Sequence, residues 1–327
     1  MGTWLARRLL AATAIVFAVV TLTFFLMHLG PASPIVPSAD QPLDPDVVAR
    51  LRHQFGTDQP LQVQYVRYLA QLARGNFGVS FSQRRPVIAA LADAIPNTIV
   101  LAGTALLVDF GLGLLLGVVM AARARHQLDA ALGNATLFLR SVPTFWLALI
   151  VILVFGERLH WFPVGGTINI VQHHSFSLLG RIADRLWHLT LPALTLGVVG
   201  AAGTARFQRN ATLDALSADY VRTARAKGVT ERRIVVVHAL RNAMLPAITL
   251  FGLALPFLLT GAVLIETVFA WPGMGKLAAD AIFSRDYPVV LACAMAASVM
   301  VVAGNLAADV LYAVADPRIR ITERDRA

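Results

Sequence analysis

For most of its length this chain shows neither the strict alternation of a half-buried strand nor the three-to-four spacing of a surface helix. Its apolar residues run on without a break. Six runs, at about 9–29, 97–122, 136–155, 189–205, 244–269 and 288–315, are each long enough to cross a bilayer. A helix of roughly 20 residues spans the ~30 Å hydrocarbon core. Lipid offers no partner to a free backbone N–H or C=O, so each run is predicted to be a helix. The fourth is the shortest. The first follows Arg7 and Arg8 and is longer than the apolar core of a secretory signal, so it is read as an uncleaved first helix.

Between the runs the pattern changes. Residues 30–95 are mixed polar and apolar, and are predicted to form a small external subdomain. One short helix is expected at 43–55, with Asp44 as cap, Pro45 in its first turn and Gly56 at its end; a second is expected at 62–73. The loop 157–188 carries the turn signal FPVGG and the adjacent pair His173 and His174. Neighbouring side chains point apart, so the pair is a poor chelate and the loop is expected to be plain and exposed. The remaining polar stretch, 206–243, is dense in Arg and Lys.

Composition agrees with a membrane protein. Of the 327 residues 57% are hydrophobic and 14% charged, against about 25% charged in soluble domains, and the mean hydropathy is +0.66. Lone Cys293 sits in the last apolar run and reads as a small hydrophobe; no disulfide or cysteine cluster can form within the chain. The formal net charge of +9 follows from topology. With six spans, the N-terminus and residues 123–135, 206–243 and 316–327 share one side. That side holds Arg7, Arg8, Arg123, Arg125, the cluster from Arg206 to Arg241 and the four arginines after residue 316. The two short loops opposite hold only Arg158, Arg181, Arg185, Lys276 and Arg285. The basic side is the cytoplasmic one, and no nucleic-acid partner is needed to explain the charge.

The basic stretch DYVRTARAKGVTERRIVVVHALRNAMLP, residues 219–246, has internal order. Leu213, Leu216, Tyr220 and Ala224 recur at helical spacing and predict a helix over 213–227. Gly228 fits its stop, where a positive φ costs glycine nothing. Thr230 can cap a second helix, on which Ile234, Val237 and Arg241 fall on one stripe. Thr223, Ala224 and Ala226 are small enough to let the first helix sit in another protein's groove. The alternative is a solvated basic loop beside anionic headgroups.

These residues resemble the cytoplasmic "EAA" loop of bacterial ABC import permeases, whose pattern is E-A-A-x-x-x-G. Arg222, Thr223, Ala224 and Gly228 fall on it, with Arg for Glu and Thr for the first Ala. YVRTARAKG and HALRN are similar to the "B"-type permeases of dipeptide, oligopeptide and nickel importers. RPVIAALADAIPNTI, SVPTFW, ETVFAWPGMGKL, RDYPVV and DPRIR extend the likeness along nearly the whole chain. The resemblance implies an all-α integral membrane protein with six transmembrane helices, the type I ABC importer transmembrane domain. Its parts would be the N-terminus and first helix (1–29), the external subdomain (30–95), a five-helix core (96–315) with the coupling loop at 206–243, and a cytoplasmic tail (316–327). It implies alternating access for peptides, with nickel chelates or glutathione as the alternative cargo. It implies Tyr220, Arg222, Thr223, Ala224, Gly228, His238 and Arg241 as the ATPase-coupling residues. The expected partners are a homologous "C"-type permease, two ABC ATPase subunits and an extracytoplasmic solute-binding protein at the bacterial inner membrane. Both termini would be cytoplasmic.

No enzyme site is expected in the chain. AWPGMGKL, residues 270–277, comes nearest to a phosphate-binding loop but lacks the first Gly and the final Ser or Thr. ATP and Mg are therefore assigned to partner subunits, and neither a cofactor nor a metal is expected here. Asp109, Asn305 and Asp309 fall inside apolar runs, where polar groups are costly. A proton relay of a secondary transporter is the rival reading; pairing within the bundle is the plainer one. Pro143, Pro192, Pro246 and Pro256 are expected to kink spans three to five. Beside those kinks, Ser141, Thr144, Asn242 and Thr249 are candidates for lining the translocation path.

Overall fold

The computed structural model describes residues 2–29, 58–259 and 263–315, which are almost wholly helical. The expected helix at 43–55 and the tail after residue 315 lie outside them. The helices are α1 (Gly2–Leu29), α2 (Leu61–Ala73), α3 (Val87–Ala122), α4 (Gln127–Ser141), α5 (Thr144–Val151), α6 (Leu178–Ser217), α7 (Asp219–Ala226), α8 (Leu240–Leu259), α9 (Val263–Val268), α10 (Met274–Phe283) and α11 (Tyr287–Ala315). α1, α3, α6 and α11 are each long and apolar enough to cross a membrane. Two bent pairs bring the number to six if each pair is one span.

The chain divides into two compact units: Met1–Pro96 with Lys276–Val299, and Asn97–Gly275 with Met300–Ala327. In the first, the start of α3 explains why that helix is longer than its apolar run. Val87, Ala90, Leu91 and Ala94 are buried at helical spacing, while exposed Asp93 pairs with Arg85 at 2.6 Å. Phe24 of α1 packs between His28, Tyr65 and Tyr68. Asp286 is fully buried, and its Oδ2 accepts from Ser80 Oγ (2.5 Å), Ser82 Oγ (2.8 Å) and the Ser82 N–H (2.9 Å).

In the second unit α3 and α6 pack through small residues. A Cβ on Gly113 or Gly117 would strike Thr204, Ala205 or Gln208, and one on Gly197 would strike Val108. Small residues repeated every four positions let helix backbones approach closely where lipid supplies no hydrophobic drive. Asp109 belongs to this seam. Its carboxylate lies over Gly200 and accepts from Thr204 Oγ1 at 2.7 Å, so it ties the two helices.

The third span departs from its predicted form. α4 and α5 meet at 100°. Val142 and Pro143 are both extended, with ψ 128° and 131°, because a residue before proline is driven out of the α region. The fourth is longer than predicted. α6 runs 40 residues from the cap Ser177, whose Oγ accepts the Gly180 N–H, through Pro192 to Ser217. Its first turns carry Asp184, whose Oδ2 accepts from His173 Nδ1–H at 2.6 Å. His173 is consequently 7% exposed. The expectation of a plain exposed loop fails there because a buried carboxylate draws one of the two histidines inward.

The residues 97–98 and 263–275 form a closed polar knot. Glu266 is fully buried. Thr98 Oγ1 donates to its Oε1 (2.8 Å), and the Met274 N–H donates to Thr98 Oγ1 (2.7 Å). Trp271 Nε1–H donates to the Asn97 carbonyl, and Asn97 Nδ2 donates to the Pro272 carbonyl. A Cβ on Gly273 or Gly275 would run into the Glu266 carboxylate. The glycines of AWPGMGKL thus make room for an acid of the chain itself.

Candidate functional site

The basic stretch folds into an elbow. α6 stops at Ser217 because Ala218 is extended (φ −70°, ψ 153°), and α7 begins at once. The single helix predicted over 213–227 is therefore two helices: Asp219 starts a new first turn, where a negative charge suits the positive end of the helix dipole. α7 ends in a Schellman turn. The Gly228 N–H donates to the Arg225 carbonyl (3.0 Å) and the Val229 N–H to the Ala224 carbonyl (3.2 Å), with Gly228 at φ +76°. A side chain at Gly228 would meet nothing within 4 Å. The restriction there is conformational, about 1–2 kcal/mol for a non-glycine residue.

Below the turn lies a small core. Val221, Ala224 and Ile234 are buried together, with Leu216 and Val229 against them. Arg225 grips Glu231 across the turn with two bonds, Nε to Oε1 at 2.7 Å and Nη2 to Oε2 at 3.2 Å. Thr230 occupies the cap position of the next segment, but its side chain makes no capping bond. That segment, Glu231–Arg233, passes into a π-helical turn, Ile234–Ala239, and then into α8. The π turn alters the predicted stripe. With five residues between bonded groups, Ile234 and Ala239 are both buried, while Val237 (51% exposed) and Arg241 turn outward.

The residues predicted to couple to the ATPases separate accordingly. Tyr220 (41% exposed), Arg222, Thr223, Ala226 and Lys227 form the outer face of α7. Thr223 Oγ1 donates back to the Asp219 carbonyl, and Arg222 reaches Asp219 at 3.3 Å. Ala224 faces inward: its small size lets α7 close on Ile234 and is unavailable to a partner's groove. His238 is half-buried in the π turn. One ion pair steadies the approach to the elbow. Asp129, 7% exposed, accepts Arg209 Nε and Nη2 at 2.7 Å each and the Arg125 N–H at 3.1 Å.

The proposed path residues lie elsewhere. Ser141 and Thr144 flank the Pro143 corner, and Ser141 Oγ donates to the Leu137 carbonyl at 3.0 Å. Asn242 and Thr249 are exposed on α8, two helical turns apart and so on one side. Sequence reasoning passed over Arg140, which sits at the end of α4 beside that corner; its position one residue before Ser141 was the available signal.

The sequence matches the family described as "Binding-protein-dependent transport system inner membrane component" over residues 113–321, and the corresponding N-terminal family over residues 1–102. It is 37% identical to the oligopeptide transport system permease protein AppB of Bacillus subtilis (strain 168), across 98% of this chain and 99% of that protein. It is 40% identical, with the same coverage, to the di/tripeptide transport system permease protein DppB of Pseudomonas aeruginosa (strain UCBPP-PA14). It is 38% identical, again with that coverage, to the glutathione transport system permease protein GsiC of Salmonella paratyphi A (strain ATCC 9150 / SARB42). The chain belongs to the inner membrane components of binding-protein-dependent transport systems, the multi-pass permease subunits of ABC importers.

Proposed function

We propose that this chain forms half of a peptide translocation pathway and is driven through the elbow at Gly228. A homologous permease supplies the other half. Two ABC ATPase subunits, which bind ATP and Mg, sit on the side of the elbow, and an extracytoplasmic binding protein delivers the cargo. Both termini are cytoplasmic, in line with the excess of arginine on their side. Closure of the ATPases pushes the outer face of α7, and α6 and α8 carry the displacement into the spans. Ser141, Thr144, Asn242 and Thr249 line the path. No bond in the cargo is made or broken.

The observation that supports this most is the elbow itself. Its outer face is basic and polar, its turn is locked by two backbone bonds, and it is joined to α6 without a spacer. The test is co-purification with the ATPases and ATP-driven dipeptide uptake, with Gly228→Asp compared against the native chain. Uncoupled uptake or loss of the ATPases is expected. Unchanged association and uptake would remove the elbow from the mechanism.

Glutathione is the second cargo reading, favoured by the GsiC relative. Competition between glutathione and dialanine for uptake separates the two.

A further inference from the structure

A cleft of about 450 Å³ opens in the second unit between α4, α6 and α8. Its walls include Phe207 and Leu250, and its polar residues are Arg140, Arg206, Asn210 and Thr204, whose hydroxyl is already committed to Asp109. Gly203 lies on its floor. The nearest atom to a Cβ placed there is Arg140 Nη1, at 3.6 Å, so the guanidinium lies over the bare backbone of α6. Both arginines and Asn210 are exposed, and Thr204 is buried.

The two arginines lack what their neighbour has. Arg209, one turn beyond Arg206, is held by Asp129 through two bonds of 2.7 Å. Arg140 and Arg206 have no ion pair or hydrogen bond among the described residues. Arg206 follows the fourth apolar run directly, on the side read as cytoplasmic, and Arg140 lies near the start of the third, so water can reach the cleft from that side. A guanidinium matches a carboxylate or phosphate through parallel N–H···O bonds. Two of them at one cleft, with an amide beside them, form a receptor for an oxyanion. The volume falls within the range of small-ligand sites, about 300–1,000 Å³. That is room for the end of a peptide and too little for a folded segment. Any linear peptide ends in a carboxylate whatever its side chains, so gripping that group places few demands on cargo sequence.

We propose that this cleft is a station for the terminal carboxylate of a peptide in transit, held by Arg140 and Arg206 with Asn210 beside the last amide. The proposal rests on the peptide reading above. The experiment uses the assembled transporter in phosphatidylcholine nanodiscs. The rate at which phenylglyoxal modifies Arg140 and Arg206 is followed by peptide mapping, alone, with dialanine and with dialanine amide. Dialanine should slow both modifications about tenfold, and the amide should not. In proteoliposomes the uptake ratio of acid to amide should fall from about tenfold towards one in Arg140→Gln and Arg206→Gln. Arg140→Lys should retain part of the preference.

Normal dialanine uptake without protection of either arginine overturns the site and leaves the peptide reading standing. No uptake of any peptide overturns both. Protection by phosphatidylglycerol with none by dialanine makes the ligand a lipid phosphate and overturns the proposal. So does a cleft that is unreactive in the assembled transporter with no ligand added, since it is then covered by the second permease.

Discussion

The elbow around Gly228 and the knot around Glu266 treat acidic side chains in opposite ways. At the knot a carboxyl group with no exposure is enclosed by Thr98, Gly273 and Gly275 and accepts from the Thr98 hydroxyl, while the Trp271 indole and the Asn97 amide donate to backbone carbonyls. At the elbow the arginines and Glu231 stay at the surface, and the buried part of the contact between the two arms is the small core of Val221, Ala224 and Ile234. A buried, hydrogen-bonded carboxyl group fixes one arrangement, because any shift leaves a desolvated polar group unbonded. A three-residue core with exposed pairs keeps its shape yet costs little to displace. The first is a fixture, and the second has the build that the proposed ATPase contact requires.

The contrast can be broken most forcefully at Glu266. Glu266→Ala strands Thr98 Oγ1 and should cost about 3 kcal/mol of stability, read by denaturation in detergent. Glu266→Gln should cost less, because it keeps the volume and an acceptor. At the elbow Ile234→Ala removes the largest member of its core and should cost about 2 kcal/mol. Its signature is faster hydrogen exchange across residues 221–234 with the spans unchanged. Were Ile234→Ala to cost more than Glu266→Ala, the elbow would be the fixture.

Along α3 a smaller effect should change sign with the space available. A Cβ on Gly117 would strike the Ala205 carbonyl and Gln208, so Gly117→Ala should destabilise by about 1–2 kcal/mol. Gly103 has nothing within 4 Å, and Gly103→Ala should stabilise by about 0.5–1 kcal/mol through helix propensity. Thermal denaturation of the two variants checks both signs.

The smallest effect is pH-dependent. The hydrogen bond from Arg225 holds the Glu231 carboxyl below its ordinary value, against a weaker opposing effect of burial. A depressed acid contributes stability above its unfolded value, ~4.3 for Glu, and loses it as the pH falls through the folded value. The contribution should be complete at neutral pH and fade below pH ~4. Both partners are exposed, so it lies in the 0–1 kcal/mol range of surface pairs. Exchange at the Val229 amide, corrected for its intrinsic pH dependence, should rise in acid, and Arg225→Gln should give the same rise at pH 7.

What the sequence disclosed was what short range decides. Apolar runs gave the spans, and Gly228 gave the turn, because each is settled by its immediate neighbours. Of the features that escaped, three show why. The Ala218 break carries no Gly or Pro, and is set by how Val221 and Ala224 reach Ile234. The π turn at Ile234–Ala239 reads as ordinary helix in any periodic pattern. Glu266 finds Thr98 from 168 residues away, so its motif could be recognised but not explained. Pro143 was placed correctly as a kink, and only the size of the bend went unforeseen.

α6 is one helix of 40 residues that continues past Pro192, where one backbone donor is missing; it is about 60 Å long at 1.5 Å per residue, twice the depth of the ~30 Å oily layer it crosses. It must emerge on both sides. A push delivered at Ser217 therefore reaches the far surface through a single element, with no relay of side chains to rearrange on the way. The extended residue at 218 is where such a rod can be turned without being bent.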